Sequence, residues 1–196
     1  DQDLFFLARD GFLVKEIYDR LIAAGFRGPR SHYLLASRRS LSTASLSSKE
    51  DLHASLRLRF SETTLRAFFA DRFGLDVDTF DGRCLLDAGF SSWDDRVSDR
   101  ASHAPALTRL LDACSEGILA RSRTERDAML RYLESESFCR ASRKSVVDIG
   151  HNASLQKALG ELVGVRDLGG FYFATFEGAR EVRDAGFDID SYLLRF

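Results

Sequence analysis

Residues 145–159, SVVDIGHNASLQKAL, limit what this chain can fold into more than any other stretch. Val146 and Val147 open it with β-branched side chains and Asp148 follows. Gly150, His151, Asn152 and Ala153 make a small polar loop, after which Leu155 and Leu159 take up helical spacing. That order predicts strand, tight turn, helix. Asn152 or Ser154 is expected to cap the helix, because a short side-chain oxygen accepts from the first free backbone N–H groups. A carboxylate then stands at the carboxyl end of a strand, beside a helix start whose unpaired N–H groups favour an anion. Open α/β sheets take ligands at that edge. The residues alone leave a plainer alternative open, in which Gly150 only relieves the connection and Asp148 satisfies turn donors.

Other segments repeat the pattern. Residues 3–8, DLFFLA, read as a strand buried on both faces. Arg9, Asp10 and Gly11 interrupt the run, and Leu13, Val14, Ile17, Leu21 and Ile22 then recur at helical spacing up to Gly25. Residues 32–37, HYLLAS, predict a neighbouring strand that ends at Arg38 and Arg39. If these strands are parallel, Arg9, Asp10, Arg38 and Asp148 share one sheet edge. The serine-rich residues 40–48 read as a loop or a weak helix start. Residues 50–74 are helical in pattern, with a cap expected at Ser61. Residues 75–93 carry aspartates without calcium-loop spacing and read as a solvated connector. Residues 104–136 predict two helices with a break at residues 122–124. GGFYFATF at 169–176, a short helix near 179–185 and a strand at 192–196 complete the pattern.

Strands alternating with helices predict an α/β, Rossmann-like three-layer fold with a largely parallel sheet. Residues 50–136 form a mainly helical insertion or cap within a single α/β domain. The chain opens almost directly in a strand and closes on another, as expected of a piece cut from a longer polypeptide. With 44% hydrophobic and 30% charged residues the composition is that of an ordinary globular protein. A net charge of -2 gives no support to a nucleic-acid surface. Cys84, Cys114 and Cys139 are widely spaced and lack zinc-site spacing, which suits reduced thiols in a cytoplasmic protein. No apolar run reaches membrane-spanning length.

Four phrases occur in order: FFLARDGFLVKEIYDRL at 5–21, YLLASRRSL at 33–41, VVDIGHNASLQKAL at 146–159 and GFYFATF at 170–176. Together they resemble the second domain of bacterial predicted hydrolases of the haloacid dehalogenase superfamily, often encoded with surface-polysaccharide glycosyltransferases. The resemblance implies an upstream hydrolase domain in the same polypeptide and a glycosyltransferase as partner. No DxDxT nucleophile motif is present in this chain, and DIGHNAS stands where such proteins more often have DIGWNGS. A weaker likeness, to phosphoribosyltransferases, matches residues 8–11 to a pyrophosphate loop and 146–154 to a ribose-phosphate loop. Ile149 stands where that pattern has a second acid.

These readings give a candidate site for a phosphorylated or nucleotide-linked sugar. Arg9, Arg38 and Arg39 are the phosphate ligands, with Gly11, Gly150, His151, Asn152, Ser154 and Gln156 completing the cradle. Asp10 and Asp148 are the candidate catalytic acids, binding sugar hydroxyls or a magnesium ion, with Asp148 as base for transfer or hydrolysis at the phosphate-linked carbon. His151 is either an acid–base group or a structurally bonded loop residue. A noncatalytic assembly module, its apolar helix at 65–73 facing a partner, is the competing expectation.

Overall fold

The computed structural model describes residues 2–57 and 59–193. In chain order the elements are β1 (Gln2–Leu7), α1 (Gly11–Ala23), β2 (Arg30–Leu34), α2 (Arg38–Ser45), α3 (Lys49–Ser55), β3 (Thr63–Thr64), α4 (Leu65–Phe73), α5 (Arg83–Ala88), β4 (Arg96–Val97) and α6 (Ala104–Ser135). They continue with β5 (Arg143–Asp148), α7 (Ser154–Val163), β6 (Gly169–Tyr172), α8 (Gly178–Asp184) and β7 (Ile189–Ser191). The last strand lies upstream of the expected 192–196, of which residues 194–196 fall outside the described residues. Two compact units result: one from the residues up to Leu41 with those from Ala128 onward, the other from Ser42–Asp127.

The first unit is α/β and Rossmann-like, built on a five-stranded, all-parallel sheet in the order β2-β1-β5-β6-β7. Its apolar run is buried as predicted, with Phe5, Leu7, Leu34 and Val146 wholly inside. Register decides the faces, because paired residues of parallel strands point the same way. Phe6 pairs with Val147, and Val147 with Phe171. Phe6 packs on Tyr18, so α1 covers their face. Val146 pairs with Phe5 and Gly170, and Asp148 with Tyr172, on the opposite face. There Gly170 admits Gln156 of α7, since a Cβ would stand 2.2 Å from Oε1.

α1 sits toward β2. Phe12 meets Tyr33 edge-on and Asp19 accepts from the Ser31 hydroxyl, both on β2. Leu13, Ile17 and Leu21 lie four residues apart along another flank of α1, and all three are exposed. Phe171, Phe173 and Tyr192 are exposed as well, the last two stacked on each other. The stripe that predicted a buried helix face thus remains largely at the surface of this unit.

The second unit packs α3, α4, α5 and part of α6 around Phe68, Phe69, Phe73 and Trp93, whose rings meet mostly edge to face. Thr64, rather than Ser61, caps α4 by accepting from the Ala67 N–H, and Gly74 ends it in the left-handed region. Leu65, Phe68, Phe69 and Phe73 are core, so they do not offer the partner surface expected of residues 65–73. Residues 75–93 are no solvated connector, for Val77, Leu85, Ala88 and Trp93 are buried. Their aspartates serve the backbone: Asp76 accepts from the Asp78 N–H and Asp81 from the Arg83 N–H. Ser48 and Asp51 form a capping box on α3.

α6 runs unbroken through residues 122–124, where a division was expected. The Ser122 hydroxyl donates to the Thr43 and Leu46 carbonyls, and the Thr124 hydroxyl donates back to Ala120. These side chains dock or back-bond without ending the helix. Among the described residues no helix is long and apolar enough to cross a membrane.

Candidate functional site at the carboxyl edge of the sheet

All five strands run the same way, so their carboxyl ends share an edge. The ladder closes almost level: Leu7 pairs with Leu34, Asp148 with Tyr172 and Tyr172 with Ser191. From β1 the chain crosses over α1 to β2 on one side. It returns to β5 on the other side of β1 and moves away through α7 to β6. The strand order therefore reverses between β1 and β5, and the two following helices lie on opposite faces. Such a reversal opens a crevice beyond the strand ends, the usual ligand position in doubly wound sheets. The β1–α1 loop, with Arg9 and Asp10, and the β5–α7 loop, from Asp148 onward, flank it.

Arg9 and Asp10 are exposed, and the peptide joining Ala8 to Arg9 is cis. Gly11 is buried because α1 begins hard against β1, where a Cβ would stand 3.0 Å from the Phe6 carbonyl carbon. Arg38 and Arg39 are exposed at the start of α2, just beyond β2. They share the edge but stand one strand further from the reversal than Arg9.

Asp148 is half-buried, and among the described residues its carboxylate has no hydrogen bond or ion pair. Its Oδ2 lies over Gly150, where a Cβ would come within 2.7 Å. Gly150 is thus the residue that lets this carboxylate fold back over its own loop. On the next strand Tyr172 is buried and donates to Gln156 Oε1 at 2.9 Å. Burial, with the Asp148 charge, holds the Tyr172 phenol well above its ordinary range. That hydroxyl therefore remains a donor at any physiological pH.

His151 is exposed and stacks on Phe176 with ring centroids 4.4 Å apart and planes 4° from parallel. Its carbonyl accepts from the Phe176 N–H at 2.7 Å. The β5–α7 and β6–α8 loops are tied together there, which gives His151 a structural job. Neither Asn152 nor Ser154 caps α7. The position before the helix is Ala153, at φ 54, with no side-chain bond to the first turn. Asn152 instead lies against Gly178 at the start of α8, where a Cβ would be 2.9 Å away. Ser154 is exposed at the first helical position.

Gln156 is not turned toward the edge. It is fully buried, and its amide donates to the Leu168 and Asp188 carbonyls at 2.7 and 2.8 Å. With Tyr172 on Oε1, its main polar contacts are all internal. Spacing placed Gln156 near the helix start, but position along a helix does not reveal which way a side chain faces until the packing partners are known. Sequence reasoning misses Tyr172 and Phe176 because GFYFATF predicts only a strand. The small pair Ala174-Thr175 within it is the available signal of a strand end.

No three or more His, Cys, Asp or Glu side chains among the described residues are grouped to hold a metal ion. Asp10 and Asp148 stand in the two loops that flank the crevice. No family model matches this chain, and no curated protein matches it.

Proposed function

We propose that the crevice between the ends of β1 and β5 binds a phosphorylated or nucleotide-linked sugar. The reversal of strand order at β1 and β5, with Arg9 and Asp10 on one side and the unpaired Asp148 carboxylate on the other, is the observation that carries this reading. Arg9 binds phosphate oxygens through charge-assisted bonds, and Arg38 and Arg39 extend the basic rim. The first-turn N–H groups of α7, free of any side-chain cap, add a positive end. Asp10 and Asp148 bind sugar hydroxyls or the magnesium ion accompanying the phosphates. If the bound sugar reacts, Asp148 is the base for transfer or hydrolysis at the phosphate-linked carbon. The resemblance to the second domain of haloacid-dehalogenase-like polysaccharide proteins supports a sugar phosphate over other anions. The same crevice suits a divergent phosphoribosyltransferase-like ligand.

The test is calorimetric titration of the chain with a UDP-sugar, a hexose phosphate and phosphoribosyl pyrophosphate, each with Mg²⁺. At least one binds, and Asp148→Asn and Arg9→Ala each weaken it about tenfold or more while the fold survives. Failure of all three to bind overturns the proposal.

A second reading has its own observation. The exposed stripe Leu13, Ile17 and Leu21, with Phe171, Phe173 and Tyr192, exceeds what isolated surface hydrophobics explain. It favours an assembly module that docks a hydrolase domain to a glycosyltransferase through this face. Leu13→Glu with Ile17→Glu then abolishes assembly and leaves ligand titration unchanged. Assembly that survives the pair removes this reading.

A further inference from the structure

In the second unit two of the three cysteines, thirty positions apart in sequence, come together. Cys84 on α5 is half-buried and Cys114 on α6 is 2% exposed, with their sulfurs 3.7 Å apart. The Cys114 thiol donates to the Cys84 sulfur, and the Cys84 thiol donates to the Asp81 carbonyl at 2.8 Å. A cavity of about 470 Å³, lined by Leu75, Thr79, Phe80, Cys114, Glu116 and Gly117, reaches the Cys114 side of the pair. Small buried cysteines need no more explanation than packing. Here, however, Cys84 is the more exposed of the two residues and Cys114 the more buried although the cavity borders it, and a closure of about 1.7 Å brings the sulfurs to disulfide length.

We propose that Cys84 and Cys114 are a reversible dithiol–disulfide pair, oxidised by low-molecular-weight disulfides through attack at Cys84. In the first step the Cys84 thiolate attacks one sulfur of the small disulfide. That S–S bond breaks, one small thiolate leaves and takes up a proton, and a mixed disulfide remains on Cys84. In the second step Cys114 loses its proton to water and attacks the Cys84 sulfur, expelling the second small thiolate. One small disulfide is reduced to two thiols while two protein thiols become one disulfide. The order of attack follows from access, and a second cause agrees with it. Burial, with Cys84 nearby, pushes the Cys114 thiol far above its ordinary range, so it is a poor first nucleophile. The product bridges α5 to α6 inside one compact unit.

The experiment incubates the whole chain with graded ratios of oxidised to reduced glutathione, quenches with iodoacetamide and maps the peptides. Exposed Cys139 serves as the internal comparator. The Cys84–Cys114 cross-linked peptide appears, with a mass loss of about 2 Da, at an oxidised-glutathione level about tenfold or more below that which half-modifies Cys139. Cys114→Ser stops the reaction at a glutathione adduct on Cys84, and Cys84→Ser leaves Cys114 unmodified. Excess dithiothreitol restores the free thiols. Adducts on Cys139 with no Cys84–Cys114 peptide at any ratio overturn the proposal. The mapping on the unsubstituted chain decides the matter even if a variant does not fold.

Discussion

Gln156→Leu is expected to cost the chain about 2–4 kcal/mol while leaving the outer surface of the crevice untouched. Gln156 is fully buried, its amide bonded to the Leu168 and Asp188 carbonyls and its Oε1 to the Tyr172 hydroxyl. Leucine fills similar volume but makes none of these bonds. The Asp188 carbonyl keeps the Gly170 N–H at 2.9 Å, so it loses one bond without being left unpaired. The Tyr172 hydroxyl, 4% exposed by residue, loses its acceptor. An orphaned buried hydroxyl costs about 1–3 kcal/mol and each severed carbonyl bond about 1 kcal/mol, with about 1 kcal/mol regained from apolar burial. For a chain of this length the net corresponds to a fall in Tm of about 5–15 °C. Urea unfolding followed by far-UV circular dichroism measures it, together with Tyr172→Phe and the double substitution. Because Gln156→Leu has already orphaned the hydroxyl, deleting that hydroxyl as well restores about 1 kcal/mol, a clear non-additivity. A cost below about 0.5 kcal/mol, or strict additivity with Tyr172→Phe, refutes the assignment of Gln156 as an internal tie.

The remaining expectations concern the edge and the opposite end of the sheet. Ala153→Gly relieves a left-handed, non-glycine position and raises stability by about 1 kcal/mol in the same urea assay; a decrease contradicts the strain. Gly150→Ala pushes a Cβ against the Asp148 carboxylate, so titration shows affinity for the proposed sugar-phosphate ligand falling about tenfold with stability reduced by no more than about 1 kcal/mol. Unchanged affinity would mean that the position of Asp148 does not matter. Asp3 is buried, which alone raises its pKa, but the His32 and Arg30 hydrogen bonds and the Arg30 charge outweigh this and hold it below its ordinary 3.8. The folded state then binds that proton less tightly than the unfolded state. Its stabilisation is complete above about pH 3.8 and is lost as pH falls below that toward the lowered value. Asp3→Asn flattens this acid limb of stability against pH and costs about 1–2 kcal/mol at neutral pH, discounted for the exposure of Arg30. An acid limb of unchanged steepness excludes Asp3 as its source.

Direction of the strands was legible from composition and order, whereas the orientation of individual side chains was not. The run DLFFLA and the valines before Asp148 are too uniformly apolar for anything but strands covered on both sides, and covered strands in alternation with helices run parallel. Parallel strands of this kind bring Arg9, Asp10, Arg38 and Asp148 to one edge on sequence order alone. Strand order was a different matter. Nothing local in residues 145–148 says that β5 lies beside β1 on the side away from β2, yet that adjacency makes the crevice. Helix faces failed for a related reason. Leu13, Ile17 and Leu21 are as periodic as any core stripe, because periodicity reports that a flank is apolar and not which surface meets it. In Gln156 the same blindness ran the other way: a polar residue in the first turn of α7 suggested a ligand, and the packing of β6 and β7 used it internally. Asn152 and Ser154 show the limit for caps, since Ala153 in the left-handed region holds the turn and leaves the α7 N–H groups without a side-chain partner. If a ligand occupies the crevice, it completes what Asn152 or Ser154 would otherwise have supplied. A polar residue able to cap α7 at position 153 should therefore compete with the ligand as well as stabilise the helix. Because Ala153 is itself buried, Ala153→Asn is read on binding and against Ala153→Gly: weaker binding of the proposed sugar phosphate by the Asn variant than by the Gly variant follows if the free helix end is part of the site, and equal binding by the two follows if it is not.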